Sequence, residues 1–93
     1  TAPGYYNIVR EMPAMKGFAD FVFIPRANAG KRPAMVVELK YNQSADSAIT
    51  QIKEKRYHGV LEGYSDKILL VGINYDAEGK DNKHHTCIIE EWN

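Results

Sequence analysis

Asp20, Glu38 and Lys40 are the residues of this chain whose types and spacing are best suited to chemistry. Asp20 interrupts an apolar segment, and Glu38 and Lys40 end a second one. Burying two neighbouring carboxylates is unfavourable unless something compensates their charge. Mg²⁺ compensates well, because it binds one or two carboxylates together with waters and phosphate oxygens. Such an ion activates a water and polarises a phosphoryl oxygen, while a lysine stabilises developing charge.

Two strands are predicted to position these residues. Both apolar segments are rich in β-branched and aromatic residues, and a polar loop joins them. Side chains alternate between the faces of a strand, so Glu38 and Lys40 share one face. A hairpin that pairs Val22 with Val36 places Asp20 opposite Glu38, with Cβ atoms about 4.5–5.5 Å apart. The alternative is a surface hairpin ending in a Glu–Lys pair, but the apolar neighbours favour a site.

A helix is predicted to begin at Ser44, a good N-cap residue, and to end near Gly63. Its apolar stripe consists of Ala45, Ala48, Ile49, Ile52 and Val60. Gln51, Lys55 and His58 line up beside this stripe, three to four residues apart. Gln51 lies about 10 Å along the axis from Ser44, within reach of the site. On spacing alone, a capping or solvent-exposed role for Gln51 is almost as well supported.

The remaining segments complete an α/β fold. They predict a strand over residues 5–11, a turn over 12–17, a buried strand over 67–75 and a last strand over 86–92. The order is βββαββ, in a mixed and mainly antiparallel sheet. One helix makes a right-handed crossover to a parallel neighbour of the Glu38 strand. His84 and His85 are adjacent and therefore point to opposite faces, which favours an exposed strand start over a metal site.

Composition bounds the possible functions. The chain suits one small domain over residues 1–93. Its formal net charge is zero, with 12 basic and 12 acidic residues, so any basic surface for nucleic acid must be local. Small basic clusters of this kind are more often a solvated face: Arg26, Lys31 and Arg32 in a loop, and Lys53, Lys55 and Arg56 in the helix. The single Cys87 fits a reducing compartment, and no apolar run approaches the ~20 residues of a membrane span. We therefore expect a cytoplasmic protein without a membrane partner.

These motifs together resemble the PD-(D/E)xK nuclease superfamily, and in particular a bacterial subfamily with a Gly-x-x-Asp strand, a Glu-Leu-Lys strand and a Gln-Ile-Lys helix. The matching segments are 17–20, 37–40, 51–57 and 70–73. The resemblance implies a restriction-endonuclease-like core and a metal-dependent phosphodiesterase that acts on nucleic acid, most simply a DNA endonuclease. It implies that Asp20, Glu38 and the Leu39 carbonyl hold Mg²⁺ or Mn²⁺. In that scheme Lys40 positions the attacking water and Gln51 orients substrate or water.

Departures from the family pattern keep other functions open. Ala19 replaces the proline that often precedes the aspartate, which is a common variation, and Lys55 stands where related helices carry a tyrosine. A helix before the first strand often supplies another acidic residue, and none is predicted before Tyr5. The alternative is an inactive domain of the same fold that binds nucleic acid or a partner protein. A third possibility is a regulatory appendage of an ATPase, because this subfamily often follows an ATPase-like domain.

Assembly is the last expectation. The chain starts without an initiator methionine, so we expect a domain of a longer protein, with an ATPase-like domain of that chain as one possible partner. The sheet is apolar on both faces, but only one helix is predicted to cover it. The other face presents Phe21, Phe23, Met35, Val37 and Leu39. We expect a homo-oligomer, most simply a two-fold dimer, to bury this face. In the alternative, the helix and the Trp92 tail divide the two faces between them.

Overall fold

The computed structural model describes residues 2–14, 17–55, 61, 63–79 and 84–92. Its elements are α1 (Ala2–Tyr5), β1 (Tyr6–Ala14), β2 (Gly17–Pro25), a 3-10 turn (Ala27–Ala29), β3 (Ala34–Tyr41), α2 (Ala45–Lys55), β4 (Ile68–Tyr75) and β5 (His85–Trp92). Six residues of the predicted helix lie outside the described part of the chain: Arg56, Tyr57, His58, Gly59, Val60 and Glu62. None of the described helices is long and apolar enough to span a membrane.

The five strands form one sheet in the order β1-β2-β3-β4-β5. β3 and β4 are parallel, and every other neighbouring pair is antiparallel. α2 lies between the two parallel strands in the chain, as the crossover requires. The predicted α/β architecture and its βββαββ order are therefore confirmed. The register predicted for the central hairpin is confirmed as well, since Val22 pairs with Val36.

The predicted turn over residues 12–17 is wrong, because the first hairpin is longer than expected. β1 continues to Ala14, and Pro13 pairs with Phe18. Pro13 lies near the end of β1, which is an edge strand, and edge strands are where sheets accommodate proline. Before β1, α1 is a single turn without an acidic residue in its first turn. It therefore does not supply the additional acidic group that the family pattern often places there.

The core lies between the sheet and α2. The predicted helix stripe is confirmed at four positions, since Ala45, Ala48, Ile49 and Ile52 are all buried. Ile49 and Ile52 belong to one core cluster with residues from β2, β3 and β4: Val22, Ile24, Ala34, Val36, Ile68 and Leu70. Gly72 lets the helix approach β4 closely, because a Cβ there would lie 2.6 Å from the Ala45 carbonyl oxygen. Trp92 packs against this same core from β5.

The opposite face of the sheet is more exposed, and we call it the open face. Phe21, Phe23 and Met35 are half-buried there and Leu39 is 46% exposed, whereas Val37 is buried, contrary to the expectation for this face. Ile89 on β5 is 62% exposed. The sequence-based expectation of an apolar second face therefore holds for the half-buried and exposed residues. Its burial by a second copy of the chain stays a prediction.

Candidate active site

The site begins where β2 and β3 separate. The strands pair at Phe23–Met35, Val22–Val36 and Phe21–Val37 but not beyond, so the predicted cross-strand pairing of Asp20 with Glu38 is not formed. At this point the Leu39 N–H donates to the Asp20 carboxylate, with Oδ2 2.8 Å from the nitrogen. Because the N–H and C=O of one strand residue point the same way, the Leu39 carbonyl faces the same gap. The Asp20 side chain therefore accepts a hydrogen bond from the β3 backbone at the point where β2 and β3 no longer pair.

Glu38 is a buried carboxylate on the helix-covered face of β3, only 4% exposed. Its Oε1 accepts a hydrogen bond from Lys55 Nζ at 2.9 Å, which forms an ion pair between β3 and α2. Its Oε2 is also buried but has no hydrogen-bond partner. Buried polar atoms are almost always satisfied, so an orphaned carboxylate oxygen indicates a place for a cation or a donor.

Gln51 provides a second orphaned oxygen. It lies four residues before Lys55, so the two side chains project from the same side of α2. Gln51 is half-buried, and its Oε1 is buried without a hydrogen-bond partner. The orphaned oxygen favours a site role over the capping or solvent-exposed role that spacing alone allowed.

Two hydrogen bonds fix the segment that connects the end of β3 to the start of α2. Ser44 caps the helix as predicted, since its Oγ accepts from the Ser47 N–H at 3.0 Å. The buried Asn74 side chain on β4 accepts from the Gln43 N–H, also at 3.0 Å. Asn74 is the register partner of Lys40, so this amide ties the connection to the end of the sheet that carries the site.

Lys40 lies two residues beyond Glu38 and is partly buried. Strand alternation places both side chains on the helix-covered face. The fold thus brings Asp20, Glu38 and Lys40 to one end of the β2–β3 pair, with Gln51 on the helix above. Their catalytic roles remain predictions.

An open groove of about 610 Å³ lies beside the separated strands. It is lined by Arg10, Glu11, Asp20, Phe21 and Leu39. Because Phe21 and Leu39 belong to the open face, Asp20 is the residue that this groove shares with the site on the helix-covered face. The Arg10 guanidinium lies 5.3 Å from the centre of the Phe21 ring, which places a positive charge along the groove. Arg10 was not among the residues predicted from the sequence; the pairing of β1 with β2, in which Arg10 opposes Phe21, places it at the groove.

The donor set fits one hard divalent cation. Among the described residues, no three His, Cys, Asp or Glu side chains cluster in a way that could hold a metal. Mg²⁺ does not require such a cluster, since one or two carboxylates suffice when waters and substrate phosphate complete the shell. The buried, unpartnered Glu38 Oε2 is the observation that supports the fit. Asp20 and the Leu39 carbonyl are the further oxygen donors at the same strand end.

The other candidate residues are engaged elsewhere, as the solvated-face interpretation predicted. Arg26 donates to Asn7, and Lys53 pairs with Glu90. His85 is exposed at the start of β5, as expected, whereas His84 precedes the strand, is half-buried and has its Nδ1 2.9 Å from the Asp76 carbonyl oxygen.

A family model of the PD-(D/E)XK nuclease superfamily matches residues 2–86. The chain belongs to this superfamily. No match was found among curated proteins or among solved structures. The family match confirms the resemblance carried by the three motifs, and the sheet is consistent with the restriction-endonuclease-like fold. PD-(D/E)XK nucleases generally use divalent metals, which agrees with the oxygen donors at this site.

Lys55 is the residue of this PD-(D/E)XK domain whose role the sequence did not reveal. Its position four residues after Gln51 was visible, and it replaces a tyrosine of the family pattern. Only the packing of α2 on β3 shows that its ammonium reaches Glu38. A lysine at that helical spacing is normally a solvent-exposed residue, so the sequence favoured the wrong environment.

Proposed function

We propose that this domain is a Mg²⁺- or Mn²⁺-dependent nuclease that hydrolyses phosphodiester bonds in DNA. The observation that carries the proposal is the buried Glu38 Oε2 without a partner, next to the end of β3 where Asp20 holds Leu39. Burying charged groups among apolar neighbours is energetically unfavourable, and such groups are typical of functional sites. Membership of the nuclease superfamily supports the same chemistry.

Each site residue has a distinct role in this proposal. Asp20, Glu38 and the Leu39 carbonyl would hold the ion. When bound, a divalent ion supplies Lewis-acid polarisation of a phosphoryl oxygen and a more acidic water. Lys40 donates hydrogen bonds to the attacking water and to the charge that develops on the phosphoryl group. The Gln51 amide oxygen accepts a hydrogen bond from that water and thereby orients it.

The groove beside Asp20 is the proposed path of the nucleic-acid strand. Arg10 lines it and is exposed, so its guanidinium is available to a phosphate. The chain has no net positive charge, and Glu11 and Asp20 line the same groove, so Arg10 is the basic side chain there that we expect to attract a phosphate. DNA binding should therefore weaken as the salt concentration rises. At low salt, Arg10→Ala should bind DNA more weakly than the wild type.

Cleavage assays test the proposal directly. Single-stranded, double-stranded and branched DNA are incubated with the wild type and with Mg²⁺ or Mn²⁺. Lys40→Ala should lower the rate by about 10²–10³-fold, the usual effect of losing one electrostatic donor. Lys53→Ala is the matched control, because it removes an equal charge from an exposed ion pair. Cleavage that persists in Lys40→Ala, or in the presence of a chelator, would refute the assignment.

Metal-dependent stability gives a second, independent test. Metal at 100 times its dissociation constant should raise the free energy of unfolding by about 2.7 kcal/mol. Asp20→Asn should abolish this gain while keeping an oxygen that accepts from the Leu39 N–H. If millimolar metal does not change the melting temperature of the wild type, this result would favour the alternative function, a domain of the same fold that does not cut.

That alternative is a domain of the same fold that binds nucleic acid or a partner without cutting. The observation that favours it is α1, the described turn before the first strand, which lacks the acidic residue that the family pattern often has there. A regulatory role beside an ATPase-like domain belongs to the same class. DNA binding without cleavage in the presence of metal would support it over nuclease activity.

A further inference from the structure

The Lys55–Glu38 ion pair differs from the other ion pairs in the described residues. Its side chains are 14% and 5% exposed, and its N–O distance is 2.9 Å. The Lys53–Glu90 pair lies on the surface, with side chains 50% and 42% exposed. Surface pairs contribute little, whereas a buried pair leaves a strongly unfavourable charge behind when one partner is removed. Lys55 is therefore tied to the charge state of the site.

The two oxygens of Glu38 are used unequally. Oε1 accepts from Lys55, whereas Oε2 is buried and has no partner. Gln51, one helical turn before Lys55, also has a buried oxygen without a partner. The ammonium thus compensates one side of the carboxylate and leaves acceptor oxygens for a second positive group.

We propose that Lys55 is a resident cation of the site that sets the affinity for the divalent ion. It compensates Glu38 while the metal is absent, and it opposes metal binding because two cations on one carboxylate repel each other. The proposal rests on the metal site proposed above. It makes Lys55 a positioning residue that acts through Glu38, and it limits the site to a single ion because one Glu38 oxygen is already engaged.

Thermodynamic coupling fixes the sign of the expected effect. If the ammonium and the metal compensate the same buried carboxylate, removing one must strengthen binding of the other. Lys55→Met keeps an unbranched side chain, one atom shorter, and removes its charge. It should lower the melting temperature without metal and bind Mn²⁺ about 5–150-fold more tightly, the usual range for coupled sites. A purely structural lysine would lower stability without strengthening metal binding.

The experiment is a calorimetric titration of the 93-residue chain with Mn²⁺, paired with thermal unfolding. Lys53→Met is the matched control, since it lies on the same helix and pairs at the surface. Lys53→Met and Lys55→Arg should bind like the wild type, with one ion per chain. Equal affinities for the wild type and Lys55→Met would overturn this inference and leave the nuclease proposal standing. Absence of Mn²⁺ binding in both would overturn the two together.

If Lys55→Met does not fold without metal, a refolding experiment still tests the proposal. Refolding in increasing Mn²⁺ should then recover the fold, because the metal replaces the lost ammonium. No recovery at any Mn²⁺ concentration would overturn the proposal. The double variant Glu38→Gln/Lys55→Met removes both charges, so it should fold without metal and lose the tight binding. Tight binding that survives in the double variant would show that Lys55 does not act through Glu38.

Discussion

Gly72 is the position where a single methyl group should disturb the packing behind the site. It is buried on β4, and the parallel register places it beside Glu38. A Cβ at this position would lie 2.6 Å from the Ala45 carbonyl oxygen and 3.0 Å from carbons of both Ala48 and Ile49. Gly72→Ala therefore forces α2 away from the sheet.

The expected loss of stability follows from these distances. Carbon atoms pack best at about 3.5–4.0 Å, so the two contacts at 3.0 Å are too short by roughly 0.5–1 Å. Overpacking of this kind costs about 1–3 kcal/mol, and Ala45 contributes a backbone oxygen that no side-chain rotation can move. Reduced freedom of the unfolded chain offsets about 0.4–1 kcal/mol. We expect a net loss of about 1–2 kcal/mol, or a melting temperature lower by about 5–15 °C.

Thermal and urea unfolding of three variants test this reasoning. Gly63→Ala is the matched control, because a Cβ there meets nothing within 4 Å. It should be neutral or slightly stabilising. Gly30→Ala isolates backbone strain, since Gly30 has a φ of 66° but open space around it. A Gly72→Ala protein as stable as the wild type would refute the close packing of α2 on β4.

Two further predictions concern the loop beside the site and assembly. Asn74→Leu should lower the free energy of unfolding by about 0.5–1.5 kcal/mol, because the Gln43 N–H loses its acceptor; urea denaturation measures this, and an unchanged midpoint would contradict it. The chain should sediment as a two-fold dimer at micromolar concentration, and Ile89→Lys should shift it to monomer by charging the open face. A wild-type monomer that binds no hydrophobic dye would contradict that assignment.

Local patterns were sufficient to predict most of the elements around the site. The apolar alternation in β2 and β3 fixed which residues share a face, and hence the pairing of Val22 with Val36. Ser44 identified the start of α2 because its hydroxyl satisfies a helix N–H that has no other acceptor. These features depend on neighbours within a few residues, so the order of amino acids alone contains them.

The first hairpin shows where local rules fail. Met12 and Pro13 indicated a turn, yet β1 runs to Ala14. A proline breaks a central strand but not an edge strand, and strand order is a property of the whole sheet. The extent of β1 therefore depended on its position outside β2, which no local signal specifies.

The site residues also divide into those that local sequence patterns predict and those that only the tertiary structure reveals. The sequence by itself determined that Asp20, Glu38 and Lys40 lie at one end of paired strands, because strand periodicity and hairpin register are local. Only the tertiary structure decided that Lys55 reaches Glu38 and that one carboxylate oxygen stays without a partner. That outcome depends on how closely α2 packs on the sheet, and residues distant in the chain, such as Gly72, set that distance.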